Sequence, residues 1–343
     1  MISSRVRALN ITHVQPARTS DPSPLCHGEH KLSFLDIIQM NKPPIQRVLF
    51  YDGPDLPPFP TMVASLQASL AATLAAFLPL AGKLAFRPAS GDVVVIDCSP
   101  AAVSSPGVKF VEAEFSGGAD EMRRLARAGE HDVEAFAQLV PEIEAARLPA
   151  PVLAVQVTRP APAGEGGGGA VAVGVSILHA VADGHAVWQF MRAWPTAAQD
   201  GSGSLATAGL PPPTFDCAGV RHPKADELVA TMSRVFAPAL PLGSEPLLGV
   251  ERCLATYLAI PPGALTAVGS SHRFMAYGTD FGWGAPRRVE LASVFGRDLA
   301  TLLDSRDGGA GAVQVSVALD RAVMEAFVDH FVVPSSTSGT RKD

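Results

Sequence analysis

From Leu56 to Gly82 the chain carries no charged residue. A stretch so long and so apolar has two outcomes: it crosses a bilayer, or it lies in a protein core. Its periodicity decides between them. Val63, Leu66, Leu70, Leu74 and Phe77 recur every three or four residues, with Gln67, Ser69 and Thr73 between them. That is the stripe of an amphipathic helix packed on a core. The spacing predicts a buried helix over residues 61–76, ending near Pro79, and no membrane span.

The rest of the chain can supply such a core. Of 343 residues, 47 % are hydrophobic and only 17 % charged, enough for two domains. A net charge of −6, from 27 basic and 33 acidic residues, leaves no electrostatic case for nucleic acid. No basic run suggests an anionic membrane surface either. Cys26, Cys98, Cys217 and Cys253 stand far apart with no CxxC pair, and are read as reduced, mostly buried thiols. The N-terminus MISSRVRALNITHVQ has no apolar core before a cleavage site, so no secretory signal is read and the cytoplasm is the expected location.

Strands are predicted at 5–14, 46–51 (QRVLFY), 93–97 and 108–114, with a short helix or turn at 34–40 and a helical pattern at 120–128. Residues 152–158 and 170–178 read as two strands joined by the loop RPAPAGEGGGG. The second strand delivers His179 to its end. A helix then runs from Gly184 to Trp194, with Val187, Phe190, Met191 and Trp194 on one face and Pro195 as its stop. The Gly-, Pro- and Ser-rich stretch that follows is a connector. Beyond it come a helix at 224–236, strands at 273–277, 288–294 and 313–319, and a last helix at 321–331. The expected architecture is α/β in two domains, 1–195 and 224–343, linked by 196–223.

In ILHAVADGHAVWQF (177–190) an imidazole and a carboxylate stand four residues apart in an apolar setting. A neutral His at the end of a buried strand can accept a proton from an alcohol, since its ordinary pKa of about 6.5 leaves it mostly unprotonated at pH 7. Asp183 can orient the ring or lock the loop. The plainer reading is a core His satisfied by a carbonyl, followed by a helix-capping Asp. A metal held by His179, Asp183 and His185 would require the turn to fold them together, and no metal is expected.

HAVADG resembles the HxxxDG motif of the plant BAHD acyltransferases, and DFGWG (280–284) resembles that family's second motif, in the same order. PIQRVLFYD (44–52), FLPLAGKL (77–84), LVPEI (139–143), PVLAVQVT (151–158) and GSSHRFMAYGTDFGWG (269–284) extend the likeness over most of the chain. They are most similar to the branch acylating anthocyanins and phenolic glucosides. Peptide condensation domains and bacterial-type acetyltransferases share a HHxxxDG motif, but Leu178 stands where their first His would be.

The resemblance implies a two-domain chloramphenicol-acetyltransferase-like fold of mixed sheets with flanking helices. It implies His179 as general base and Asp183 as a structural brace of the loop. Asp280, Phe281, Gly282, Trp283 and Gly284 would form a structural motif, with two glycines on a tight backbone path and Trp283 as the bulky packing piece. Ser270 or Ser271 could line the oxyanion position, the plainer reading being a loop serine, and Arg287 and Arg288 could meet a coenzyme A phosphate, the plainer reading being two solvated arginines. The implied activity is transfer of a malonyl- or hydroxycinnamoyl-type acyl group from acyl-CoA, a co-substrate, to a hydroxyl of a plant phenolic, flavonoid or anthocyanin glucoside. No permanently bound cofactor is implied, and a monomer is expected.

One departure is a gap. Family members run on substantially before the GSSHRF segment, whereas here APALPLGSEPLLGVERCLATYLAIPPG (237–263) leads almost directly into it. The missing part would supply central strands of the second domain, an arginine partner for Asp183 and a YFGNC signature. The second half is therefore expected to hold a small, incomplete sheet, and the alternative to an enzyme is a catalytically impaired or inactive relative acting only in binding.

Overall fold

Large and small side chains alternate along Ala170–Ile177, and both faces of that strand are buried. The computed structural model describes residues 4–18, 28–91, 93–127, 132–145, 147–162, 169–201, 209–215, 224–236, 267–292, 299–306, 311–319 and 321–331. Its first elements are β1 (Val6–Val14), β2 (Glu29–Lys31), α1 (Phe34–Ile38), β3 (Ile45–Asp52), α2 (Phe59–Ala76), β4 (Lys83–Arg87), β5 (Val93–Asp97), α3 (Pro100–Ser104) and β6 (Val108–Phe115). There follow α4 (Ala119–Leu125), α5 (Val133–Gln138), β7 (Ala150–Pro151), β8 (Leu153–Pro160), β9 (Ala170–Ile177), α6 (Gly184–Asp200) and α7 (Ala225–Phe236). The last are β10 (Ala267–Gly269), β11 (Arg288–Leu291), β12 (Leu299–Asp304), β13 (Val313–Ala318) and α8 (Arg321–Phe331).

Six strands form the main sheet in the order β1-β6-β8-β9-β3-β11. Only β6 and β8 run parallel; the other pairs are antiparallel. Val171, Val173, Val175 and Ile177 of β9 face an apolar cluster shared with α2 and α6. Ala170 and Ala172 face a second cluster, with Met122 and Leu125 of α4 and Ala135 and Phe136 of α5. Covering both faces is what turns the strand into an apolar run. On the small-residue face the LVPEI segment lies across the strand. A Cβ on Gly174 would meet the Leu139 carbonyl oxygen at 2.1 Å, so only glycine fits there. Ser176 Oγ donates to the Pro141 carbonyl at 2.5 Å.

The uncharged stretch is α2. Met62, Val63, Leu66, Leu70 and Leu74 are buried against the core, each large side chain contributing about 1.5–3 kcal/mol. Among the described residues it is the one helix long and apolar enough to cross a membrane, and it packs against α6. The contact is specific: the Trp194 indole Nε1 donates to Leu66 O at 3.2 Å and Ser69 Oγ at 3.0 Å.

Three expectations need correction. Pro195 does not stop α6, which continues to Asp200 and is closed by Gly201 at φ 70°. A mid-helix proline removes one backbone bond. Here Trp194, Pro195 and Ala197 are all buried in the core, and that packing outweighs the missing bond. Residues 273–277 are not a strand but two 3₁₀ turns, His272–Phe274 and Ala276–Gly278. The carboxylate of Asp304 takes the N–H groups of Ala276 (2.7 Å) and Tyr277 (3.2 Å), replacing a sheet partner. The predicted strand 288–294 is shorter, Arg288–Leu291, and pairs with β3 as the edge of the main sheet. Among the described residues the second half holds a three-stranded sheet, β10-β12-β13.

Candidate active site

The strand β9 ends at Ile177, and the chain turns at once. Leu178 N–H reaches Val152 O at 2.9 Å, and Val181 N–H closes back on Leu178 O at 3.0 Å. Ala180 and Ala182 are buried beneath the turn and anchor it. Asp183 then caps α6: its Oδ1 accepts the Ala186 N–H at 2.8 Å. An Asp before the first helical residue satisfies a donor that the helix itself cannot.

His179 sits in this turn, partly exposed. Its ring helps line a cavity of about 260 Å³ with Gln39, Met40, Lys42, Leu84 and Ile143. The Nδ1 atom is sealed from solvent and has no hydrogen-bond partner among the described residues, leaving Nε2 as the nitrogen available to a hydroxyl. Asp183 is exposed, as is His185, and the Asp183 carboxylate bonds to the helix rather than to the imidazole. The ring is therefore placed by the strand end and the buried alanines, not by a carboxylate. Among the described residues no group of three His, Cys, Asp or Glu side chains is arranged as metal ligands would be.

The DFGWG segment lies elsewhere. Asp280 Oδ1 accepts the N–H groups of Gly282, Trp283 and Gly284 at 2.8–2.9 Å. This curl needs positive φ at Gly282 (88°) and Gly284 (86°), which glycine adopts without strain. Phe281, only 3 % exposed, is the fully packed aromatic. It meets Trp194 edge-on at 5.0 Å and Tyr51 at 6.0 Å. Trp283 is half-buried and packs on Tyr51 at 5.4 Å. Tyr51 donates to Thr279 O at 2.8 Å, and Gln199 to Asp280 O. The motif thus clamps the far end of α6. At 1.5 Å per residue, Gln199 lies roughly 24 Å along the helix from Asp183.

The preceding segment returns to the start of α6. A Cβ on Gly184 would touch the Phe274 ring at 3.1 Å, so residues near Phe274 lie against the start of α6. Ser270 has a left-handed backbone, φ 68°. Its hydroxyl accepts from Arg47 Nη2 at 3.1 Å, while Ser271 caps the turn at Arg273 N. Arg288 pairs with Glu290 at 2.5 Å, both largely buried, so Arg288 is not disposed to meet a phosphate. Arg287 is exposed, its backbone N–H bonded to Phe50 O. Cys98 is buried; Cys26, Cys217 and Cys253 lie outside the described residues, as does the 237–263 stretch.

Sequence reasoning missed Arg47. It is 3 % exposed on β3, and the signal was present as a lone charge inside the apolar run QRVLFY. Burial lowers its pKa to about 10, partly opposed by Glu290.

The Transferase family model matches residues 9–216 and 251–333. Malonyl-CoA:anthocyanidin 5-O-glucoside-6''-O-malonyltransferase of Arabidopsis thaliana is 31 % identical over 196 residues, 56 % of this chain and 38 % of that protein. A malonyl-coenzyme A:anthocyanin 3-O-glucoside-6''-O-malonyltransferase of Dahlia pinnata is 26 % identical over 220 residues, 60 % of this chain and 45 % of that protein. The matched region therefore spans less than half the length of these curated relatives. Among solved structures, vinorine synthase superposes with a TM-score of 0.66 at 19 % identity, covering 93 % of this chain and 96 % of that one. TRI101 of F. sporotrichioides, solved with coenzyme A and T-2, gives 0.52 at 14 % identity, covering 87 % and 96 %. These likenesses show the chloramphenicol-acetyltransferase-like fold of mixed sheets with flanking helices. The chain belongs to the Transferase family, that of the BAHD acyltransferases.

Proposed function

We propose that the chain is an acyl-CoA-dependent O-acyltransferase acting on a hydroxyl of a phenolic or flavonoid glucoside. The observation that carries this reading is the His179 ring at the end of β9, bordering a cavity with Nδ1 turned inward. The Nε2 lone pair takes the hydroxyl proton as the acceptor oxygen attacks the thioester carbonyl. The tetrahedral oxyanion collapses, the carbon–sulfur bond breaks, and the imidazolium returns its proton to the departing thiolate. No covalent acyl-enzyme forms. The curated relatives named above transfer malonyl groups to anthocyanin and anthocyanidin glucosides, which supports a malonyl-type donor and a glucoside acceptor.

The partnerless Nδ1 favours a second reading. An imidazole that must become imidazolium gains from an acceptor behind it, and among the described residues His179 has none. That reading is a chain that binds its ligands and turns them over slowly. One assay separates the two. Purified protein is given malonyl-, acetyl- or coumaroyl-CoA with a panel of flavonoid glucosides, and thiol release is followed. The enzyme reading expects turnover that falls by about two to four orders of magnitude in His179→Ala, with binding little changed. Turnover equal in the two proteins removes His179 from the chemistry, and binding without turnover establishes the second reading.

A further inference from the structure

Arg47 shares a face of β3 with Leu49 and Tyr51 and points into the apolar cluster beneath α6. Only one guanidinium nitrogen is paired, Nη2 with Ser270 Oγ at 3.1 Å. Nε and Nη1 are buried with no partner among the described residues. The guanidinium carbon lies 5.3 Å from the ring centroid of Trp188, and the indole Nε1 of Trp188 is also buried without a partner. Two nitrogen donors of Arg47 and one of Trp188 are thus buried side by side, and among the described residues no acceptor receives them. Buried donors are almost always satisfied, and a cluster of exceptions calls for a cause.

The place is informative. The strand β3 runs antiparallel beside β9, with Ile45 opposite Ile177, so Arg47 lies close to the strand end from which His179 emerges. Trp188 belongs to the helix that follows HAVADG, and Ser270 to the segment that touches its first turn. Glu290, the acid whose charge reaches Arg47, is tied to Arg288.

We infer that Arg47 is a specificity-determining residue that receives the free carboxylate of a dicarboxylic acyl group, of malonyl type, carried by the donor thioester. This rests on the acyltransferase reading above. A carboxylate is acceptor-only when ionised, and both edges of the guanidinium keep an open N–H for it. It would replace the Ser270 hydroxyl, the weaker acceptor. A neutral acyl group such as acetyl offers nothing to these donors, so discrimination follows from leaving them unpaired.

The test is calorimetric binding of malonyl-CoA and acetyl-CoA to the full chain. The intact protein is expected to bind malonyl-CoA about 10- to 100-fold more tightly, the range of a charge-assisted hydrogen bond. Arg47→Met should erase that difference by weakening malonyl-CoA alone, while melting at or above the parent temperature, because a desolvated cation is gone. Arg47→Lys keeps the charge without the planar fork and should lose several-fold of the preference; it decides the matter if the Met variant does not fold. Equal binding of both thioesters by the parent, or a preference unchanged in the variants, overturns the role of Arg47 and leaves the acyltransferase reading intact. Binding of neither thioester overturns that reading as well.

Discussion

The capping geometry of Asp183 yields a prediction in which two similar substitutions part company. Its Oδ1 accepts the Ala186 N–H at 2.8 Å, and this is the side-chain cap of a 17-residue helix. Replacing a cap by alanine costs about 1 kcal/mol, within a range of roughly 0.5–2. The lost negative charge at the helix N-terminus adds about 0.3–0.5 kcal/mol at an exposed site. Asp183→Ala should therefore destabilise by about 1.5 kcal/mol, or roughly 3–6 °C in melting temperature. The rest of α6 stays folded, because nine of its residues are buried. The loss falls on the first turn, which adjoins the His179 turn. Asp183→Asn presents the same acceptor and should cost no more than about 0.5 kcal/mol, since Asn and Asp are equivalent caps. Urea unfolding of the three proteins at pH 7 is the assay, and the pH–rate profile of the Asn variant should superimpose on the parent's. If Asn proves as damaging as Ala, the carboxylate charge must be engaged in an ion pair, and the capping account fails.

The aromatic clamp and its phenol supply two more tests. Phe281→Ala empties a buried site among Tyr51, Trp194 and Trp283 and should cost about 3–5 kcal/mol. Trp283→Ala, at a half-buried position, should cost clearly less; equal losses in melting experiments would contradict this ranking. Burial first, then the charge of Asp280, raises the Tyr51 phenol well above its ordinary pKa of 10. A raised folded-state value contributes stability below the unfolded pKa near 10 and loses it as pH climbs towards the folded value. Tyr51→Phe should be less stable by about 1 kcal/mol at pH 7, through the lost bond to Thr279 O. It should also decline less steeply than the parent above pH 10. Parallel stability curves for the two proteins would remove Tyr51 from the alkaline transition.

Local order was legible in the residues themselves. The α2 stripe, the β-branched run before His179 and the Asp-Gly step after the loop each specify an element within a few residues. Burial pattern, turn chemistry and capping are nearest-neighbour properties. Placing His179 at a strand end needed nothing more. Tertiary structure decided wherever the partner lay far along the chain. Pro195 stays inside α6 because Trp194 is held by Leu66 and Ser69 of α2. Residues 272–278 form 3₁₀ turns because Asp304 supplies their acceptor. Arg288–Leu291 joins β3 rather than the small sheet of its own half, pairing Arg288 with Phe50. Arg47 is only a lone charge in an apolar strand until α6 and Ser270 close over it. Periodicity reports that a face is buried but carries no information on what buries it, and those identities arise only when distant segments meet.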